Sequence, residues 1–236
     1  MKQFILLIFI ISLTSCTATR QINGITTTGY GYSEPQVPIT KSLFDDKNST
    51  ISEENIQKIL DGNYSLPKNL RVSIVKLQST QNQRRYYWSD ETYLKSQQAY
   101  LDLFSNIFKQ SNRINTVSVI PDLLVSSNPT FISIRESAVR TQSDIVVIYS
   151  ITSDIYSKYK LFSKSDIKAF ATTQLIVLDV RTGLIPFSTI VTKDFQSKKQ
   201  DNEVNENEAV NRIKDKAVLL TIEEIGKKLK NFLENE

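Results

Sequence analysis

Apolar residues recur along the chain with two periods, every second position in some segments and every third or fourth in others. From residue 67 onward this pattern predicts strands over 71–77, 116–120, 144–161, 170–180 and 184–195, and helices over 89–108, 130–139 and 203–232. The predicted order is β-α-β-α-β-β-β-α. Because helices alternate with strands first and a meander follows, we expect an α/β (α+β) domain with helices packed on a mixed sheet.

The same pattern predicts which positions are buried. Residues 145–149 form a nearly continuous apolar run, which is typical of a strand covered on both faces. The strands before and after the polar turn at 163–166 are expected to form a long hairpin. The apolar stripe of helix 89–108 is expected at Leu94, Gln97, Leu101, Phe104 and Phe108, flanked by Tyr93, Tyr100 and Ile107. The last helix is expected to bury Val210, Ile213, Ala217, Leu220, Ile225, Leu229 and Phe232.

The first part of the chain is organised differently. Residues 17–66 are rich in Thr, Gly, Ser, Asn and Pro and have few clustered aliphatic residues, as in a tether. A short helix is expected within it, with Ser52 as N-cap and Asp61-Gly62 at its end. The predicted organisation is a signal peptide over 1–15, a lipidated N-terminus and tether over 16–66, and an α/β accessory domain over 67–236.

The N-terminus resembles the signal of a bacterial lipoprotein. Lys2 precedes the apolar segment Phe4 to Leu13, which is too short to span a membrane. Leu13-Thr14-Ser15-Cys16 follows and resembles a lipobox. The resemblance implies that Cys16 becomes the first mature residue and is acylated with palmitate-type chains. Thr17 is not the aspartate that retains lipoproteins in the inner membrane, so we expect the periplasmic side of the outer membrane.

Composition removes several kinds of chemistry. The chain has 236 residues, no histidine and a formal net charge of +4, and Cys16 is its single cysteine. Histidine bases, Ser-His-Asp triads and Cys or His zinc sites are therefore excluded. Carboxylate pairs, Ser-Lys dyads and oxygen-ligated metals remain open. The small charge does not favour nucleic acid, and we predict a non-enzymatic protein without a cofactor or metal.

Two motifs at predicted turns have a structural interpretation. Asp179, Arg181, Thr182 and Gly183 form a tight turn in which Asp179 accepts amide hydrogen bonds and Gly183 supplies a positive φ. Two matches to Ser-x-x-Lys lie in the predicted hairpin, at 157–160 and 165–168, but neither serine is expected at a helix start, as the serine of penicillin-binding enzymes is. Asp154 and Asp166 could pair for acid–base work, although nothing in the sequence brings them together.

Two segments are candidate partner-binding sites. Arg84, Arg85, Tyr86, Tyr87 and Trp88 follow the first predicted strand and are residue types enriched at binding hot spots. The alternative is that Trp88 and one tyrosine close the core. The predicted hairpin tip carries Tyr159, Leu161 and Phe162 among basic residues, which is typical of a docking tip.

Residues 143–150 (SDIVVIYS) and 173–183 (TQLIVLDVRTG) resemble two core strands of the lipoprotein group that includes CsgG, PelC and LpoB. The resemblance implies a compact α/β domain, tethered to the outer membrane, that assists an envelope machine by protein contacts. Members of the group serve secretion, polysaccharide export or peptidoglycan synthesis. The segment 149–160 is less apolar than a lipid-facing strand, so we place a homo-oligomeric CsgG-like pore second. A carboxylate-dependent periplasmic hydrolase is the other alternative.

Overall fold

The computed structural model describes residues 19–21, 42–44, 51–77, 91–126, 128–158 and 166–235. The strands are β1 (Thr19–Gln21), β2 (Leu70–Lys76), β3 (Ile114–Val119), β4 (Ile145–Lys158), β5 (Asp166–Asp179) and β6 (Phe187–Lys198). The helices are α1 (Glu53–Leu60), α2 (Glu91–Lys109), α3 (Phe131–Arg140) and α4 (Glu206–Asn235), with a 3₁₀ turn at Asp122–Leu124. None of the described helices combines the length and apolar character that a membrane span requires.

The strands form one mixed sheet in the order β3-β2-β4-β5-β6. Strand β2 is parallel to both of its neighbours, β3 and β4, whereas β4, β5 and β6 form an antiparallel meander. The predicted fold class and the order of elements from residue 67 onward are confirmed. We call the end of the sheet at Ile145, Asp179 and Phe187 the base, and the end at Lys158, Asp166 and Lys198 the distal end.

The larger core lies between the sheet and the helices α2 and α4. The strand residues in it alternate along β2, β4 and β5, as the period of two requires, and their partners come from both helices. Ile145, Val147 and Tyr149 face this core, while Val146 and Ile148 face the opposite side. All five are buried, so the prediction that this run is covered on both faces is confirmed.

A smaller core covers the other face of the sheet near the base, under α3. This helix begins with a capping box, in which Thr130 and Ser133 each accept a hydrogen bond from the other's backbone. Phe131 at its first position donates its backbone N–H to the carbonyl of Leu43 over 2.8 Å. Phe44 stacks on the Phe131 ring at 5.0 Å between centroids. Part of the predicted tether therefore packs against the domain.

The predicted stripe of α2 is wrong at its first position. Leu94 is 51% exposed, whereas Tyr100 is 2% exposed and belongs to the core with Phe104 and Phe108. The buried face follows positions 93, 97, 100, 104 and 108, and Leu94 lies one position, about 100°, away from it. Gln97 faces inward and accepts a hydrogen bond from Lys76 of β2.

Helix α4 packs along β5 and β6 and lies very close to α2. Small residues of β5, Ala169 and Ala171, are buried beneath it, and Thr221 of α4 hydrogen bonds Thr173 of β5 over 2.5 Å. A Cβ on Gly226 would lie 2.7 Å from Cδ1 of Ile107 in α2. Glycine at 226 therefore permits the close approach of the two helices.

The predicted tether also contributes a strand to the sheet. Strand β1 is antiparallel to the last residues of β4, with Thr19 opposite Lys158 and Gln21 opposite Tyr156. It lies on the same edge of β4 that β2 occupies nearer the base. The short helix predicted after Ser52 is present as α1, with Asp61 as its C-cap, and none of its residues is buried. The core begins ahead of residue 67, since Leu66 is 3% exposed.

Candidate functional site

The predicted turn at the base is built around Asp179. Its Oδ1 accepts the backbone N–H groups of Arg181 and Thr182 at 2.9 and 2.8 Å. Its Oδ2 accepts the hydroxyl of Tyr64 at 3.0 Å. Gly183 has a φ of 76°, in the left-handed region, and donates its N–H to the Asp179 carbonyl. The side chain of Asp179 therefore fixes the turn and joins it to the segment that precedes β2.

Asp144 forms a second cluster at the base. Its Oδ2 accepts the backbone N–H and the Nε of Arg71, each at 3.0 Å, and its Oδ1 accepts Nη2 of Arg71 at 2.9 Å. Arg181 donates to the same Oδ1 over 3.1 Å. The hydrogen bonds from Arg71 lower the pKa of the Asp144 carboxyl far below its usual range, against the opposing effect of burial. Asp144 is therefore a carboxylate held by two guanidinium groups.

The sequence did not predict these partners. Asp144 is visible as the acidic residue that starts the most apolar strand, but nothing selects Arg71 from the other cations before β2 and β4 are known to be parallel neighbours. Arg135 of α3 adds a further connection, because it donates to the carbonyls of Val180 and Arg181 at 2.6 and 2.8 Å. The base is consequently a hydrogen-bonded framework, in which the buried carboxylates of Asp144 and Asp179 both accept several hydrogen bonds.

A different polar group lies where β2 ends, between the sheet and α2. Lys76 donates a hydrogen bond to Oε1 of Gln97, and its Nζ lies 5.8 Å from the centroid of the Tyr93 ring. Burial lowers the pKa of Lys76 to about 7, and the positive charge of Lys214 contributes, while Asp122 opposes the change. An amine in this setting gives up its proton near neutral pH.

Two buried tyrosines belong to the same region. Tyr149 is the register partner of Lys76 on β4 and is 1% exposed, and its hydroxyl has no hydrogen-bond partner within the described chain. Burial raises its pKa, and the negative charge of Asp122 adds to this effect. Tyr100 differs, because its hydroxyl donates to Asp215 of α4 at 2.6 Å, as does that of Ser96. Asp215 thus joins α2 to α4 beside the Lys76 group.

The face of the sheet opposite α4 is uncovered over its distal half, as far as the described residues extend. Thr152, Thr172 and Thr192 stand in register across three strands, and the last two are linked by a 2.9 Å hydrogen bond between hydroxyls. Ile190 is 65% exposed and Tyr156 is 38% exposed. Among the described residues this face is mixed in polarity, and its ionisable groups include the ion pair of Lys168 and Asp194.

Several predicted site residues have no described position. Cys16, the group Arg84, Arg85, Tyr86, Tyr87 and Trp88, and the tip residues Tyr159, Leu161 and Phe162 lie outside the described residues. Asp154 and Asp166 are described and are not brought together, because Asp154 pairs with Phe170 and Asp166 with Lys158, four ladder positions away. No group of three or more acidic side chains in the described ranges could hold a metal ion.

Comparison with known proteins finds similarity in structure but no match in sequence. No family model matches the chain, and no curated protein matches it. A hypothetical protein from Chlamydia trachomatis has 12% identity and a TM-score of 0.45, over 72% of this chain and 100% of its own. A candidate lipoprotein from Caulobacter crescentus CB15 has 8% identity and a TM-score of 0.39, over 70% and 90%. Lipoprotein GNA1162 from Neisseria meningitidis has 12% identity and a TM-score of 0.30, over 71% and 100%. The chain is thus similar in structure to small bacterial lipoproteins at low identity.

Proposed function

We propose that this chain is a lipoprotein held through Cys16 on the periplasmic side of the outer membrane, where it acts as a non-enzymatic accessory or assembly subunit of an envelope complex. Secretion, polysaccharide export and peptidoglycan synthesis are the processes that the resemblance to CsgG, PelC and LpoB suggests. The main support for the anchoring is Leu13-Thr14-Ser15-Cys16, which resembles a lipobox. Strand β1 of the sheet begins three residues after Cys16.

The base of the domain supports a role in contacts over one in hydrolysis. A glycosidase-type mechanism needs one carboxyl that is protonated near neutral pH beside a second carboxylate. Asp144 is instead held ionised by Arg71 and Arg181, and Asp179 is occupied by turn amides and Tyr64. Neither carboxylate can act on a substrate without losing these contacts.

The packing of the hairpin favours an accessory role over a pore. In a transmembrane barrel, alternate residues of each strand face lipid. Here Ile167, Ala169 and Ala171 of β5 are buried beneath α4. The other face carries Thr152, Thr172 and Gln174. Insertion would therefore require α4 to leave the sheet and would expose a face of mixed polarity to lipid.

Crosslinking in intact envelopes tests the proposal. The full-length protein is compared with a variant carrying Arg84→Ala, Tyr87→Ala and Trp88→Ala. A matched control carries Lys109→Ala, Gln110→Ala and Lys227→Ala, three exposed positions on the helical side. Thermal unfolding establishes that both variants fold.

We expect a synthase or export component to be recovered with the native and control proteins and lost with the first variant. Recovery of only further copies of the chain would contradict the accessory role and favour a homo-oligomer. Recovery of nothing from any of the three proteins would also contradict it.

A further inference from the structure

We infer that the domain stands on the membrane with the distal end of the β4–β5 hairpin toward the lipid and the base pointing away. This orientation rests on the proposed anchoring through Cys16. The structural reason is strand β1, which is paired with the last three residues of β4.

The direction of β1 places its first residue, Thr19, at the distal end of the sheet. Gln21 is opposite Tyr156 and Thr19 is opposite Lys158, the last residue of β4. Moving back along the chain from Gln21 to Thr19 therefore leads toward the distal end. Cys16 precedes Thr19 by three positions, and three residues reach at most about 11 Å. An acyl group on Cys16 is consequently confined to the neighbourhood of the distal end.

Because the sheet is long, an anchor confined to one of its ends determines which end of the domain faces the membrane. Strand β4 has 14 residues, which at the usual rise corresponds to about 43 Å between its ends. The turn at Asp179 and the Asp144 cluster lie at the other end. An anchor held near Lys158 therefore keeps the base several nanometres from the lipid, on the side where a periplasmic partner would approach.

The side chains near the distal end fit a position at the membrane surface. Tyr156 and Phe170 form an edge-to-face pair with centroids 5.5 Å apart, and amphipathic aromatic rings are favoured at the headgroup level. Two ion pairs lie there, because Lys168 pairs with Asp194 at 3.0 Å and Lys198 lies 3.9 Å from Asp166. The inferred orientation depends on the pairing of β1 with β4.

The test uses energy transfer from the protein to the membrane. Cys16 is the single cysteine and is consumed when acylated, so Gln196→Cys near the distal end and Lys109→Cys near the base each accept one fluorophore. Both positions are exposed. The acylated full chain is reconstituted into vesicles of phosphatidylethanolamine and phosphatidylglycerol that contain an acceptor lipid.

We expect much stronger transfer from position 196 than from position 109. A 12-residue Gly-Ser insertion between Thr17 and Ala18 should remove most of the difference, because it lengthens the chain ahead of β1. The same insertion between Thr28 and Gly29, after β1, should leave the difference intact. Equal or reversed transfer in the native chain would overturn the inference, and so would equal effects of the two insertions.

Failure of the anchoring itself gives a separate result. Flotation of the vesicles shows whether the protein is attached, with Cys16→Ser as the detached control. A native chain that does not float with vesicles contradicts the proposed function. One that floats but shows no preferred end contradicts only the orientation.

Discussion

Arg71 and Asp144 are 73 positions apart in the chain and are joined by four hydrogen bonds. The Asp144 carboxylate accepts two from the guanidinium and one from the backbone N–H of Arg71, and Asp144 donates its own backbone N–H to the Arg71 carbonyl. The contact lies at the start of the parallel pair β2 and β4. Arg181 extends it to the turn after β5. A single carboxylate therefore ties together the beginnings of two central strands and the end of a third.

Asp144→Asn should destabilise the domain by about 2 kcal/mol, because the charge-assisted bonds are lost and their donors remain partly buried. Urea unfolding at pH 7 measures the change, with Asp102→Asn on the exposed side of α2 as the control. A loss no larger than that of the control would show that the cluster does not stabilise the fold.

The carboxylate of Asp144 also makes the stability of the domain depend on pH in the acid range. The pKa of Asp144 is lowered in the folded state, so its contribution is complete above the unfolded pKa, near 3.9, and is lost as the pH falls through that value toward the folded one. The difference in unfolding free energy between wild type and Asp144→Asn should therefore shrink below about pH 4. A difference that stays constant down to pH 2 would contradict this assignment.

Gly226→Ala tests the close approach of α2 and α4. Alanine normally stabilises a helix interior by about 1 kcal/mol relative to glycine, but here the new Cβ would meet Cδ1 of Ile107 at 2.7 Å. We expect a net loss of about 1–2 kcal/mol from the overpacking. In an Ile107→Ala background the same substitution should be neutral or stabilising, which calorimetry of the four proteins can measure. A loss that persists in that background would rule out the contact with Ile107 as its cause.

Lys76 predicts a second pH dependence of the same sign, in the neutral to alkaline range. Its pKa falls from 10.5 to about 7 in the folded state, so between these values the unfolded chain binds one more proton than the folded chain. Stability should therefore rise with pH across this window and be lowest below pH 7. Lys76→Met should lack this rise, whereas Lys109→Met should keep it. Parallel pH profiles of urea midpoints for wild type and Lys76→Met would contradict the assignment.

The sequence predicts the elements of the domain well, because their periods reflect burial. The run at 145–149 is set by local pattern alone, and the structure has it. The predicted stripe of α4 is confirmed at Val210, Ile213, Ala217, Ile225 and Leu229, whereas Leu220 and Phe232 are only half-buried. The prediction for Leu94 is wrong because a period of 3.6 residues is compatible with burial of either of two adjacent helix faces. Only the packing partner decides which of them is buried. Gln97 lies on the buried face of α2 because Lys76 is opposite, and that relationship exists only after β2 and α2 have packed.

Contacts between distant segments could not be predicted from one sequence. The pairing of β1 with β4 involves three residues that carry no strand pattern of their own, and Thr19–Gln21 is stabilised by backbone hydrogen bonds to an edge supplied by the hairpin. Arg71 and Asp144 form their contact only through the parallel register. The turn residues Asp179 and Gly183 could be predicted, because the conformation they support is local.

In the proposed function, Cys16 carries the lipid that holds the domain on the membrane. Mass spectrometry of the N-terminal peptide, from protein purified out of the membrane fraction, tests it most directly. We predict a peptide that begins at Cys16 and carries the mass of a diacylglycerol group, with a further acyl chain on its amine, and no such peptide from Cys16→Ser. An unmodified Cys16, or a mature chain that begins elsewhere, would contradict the account.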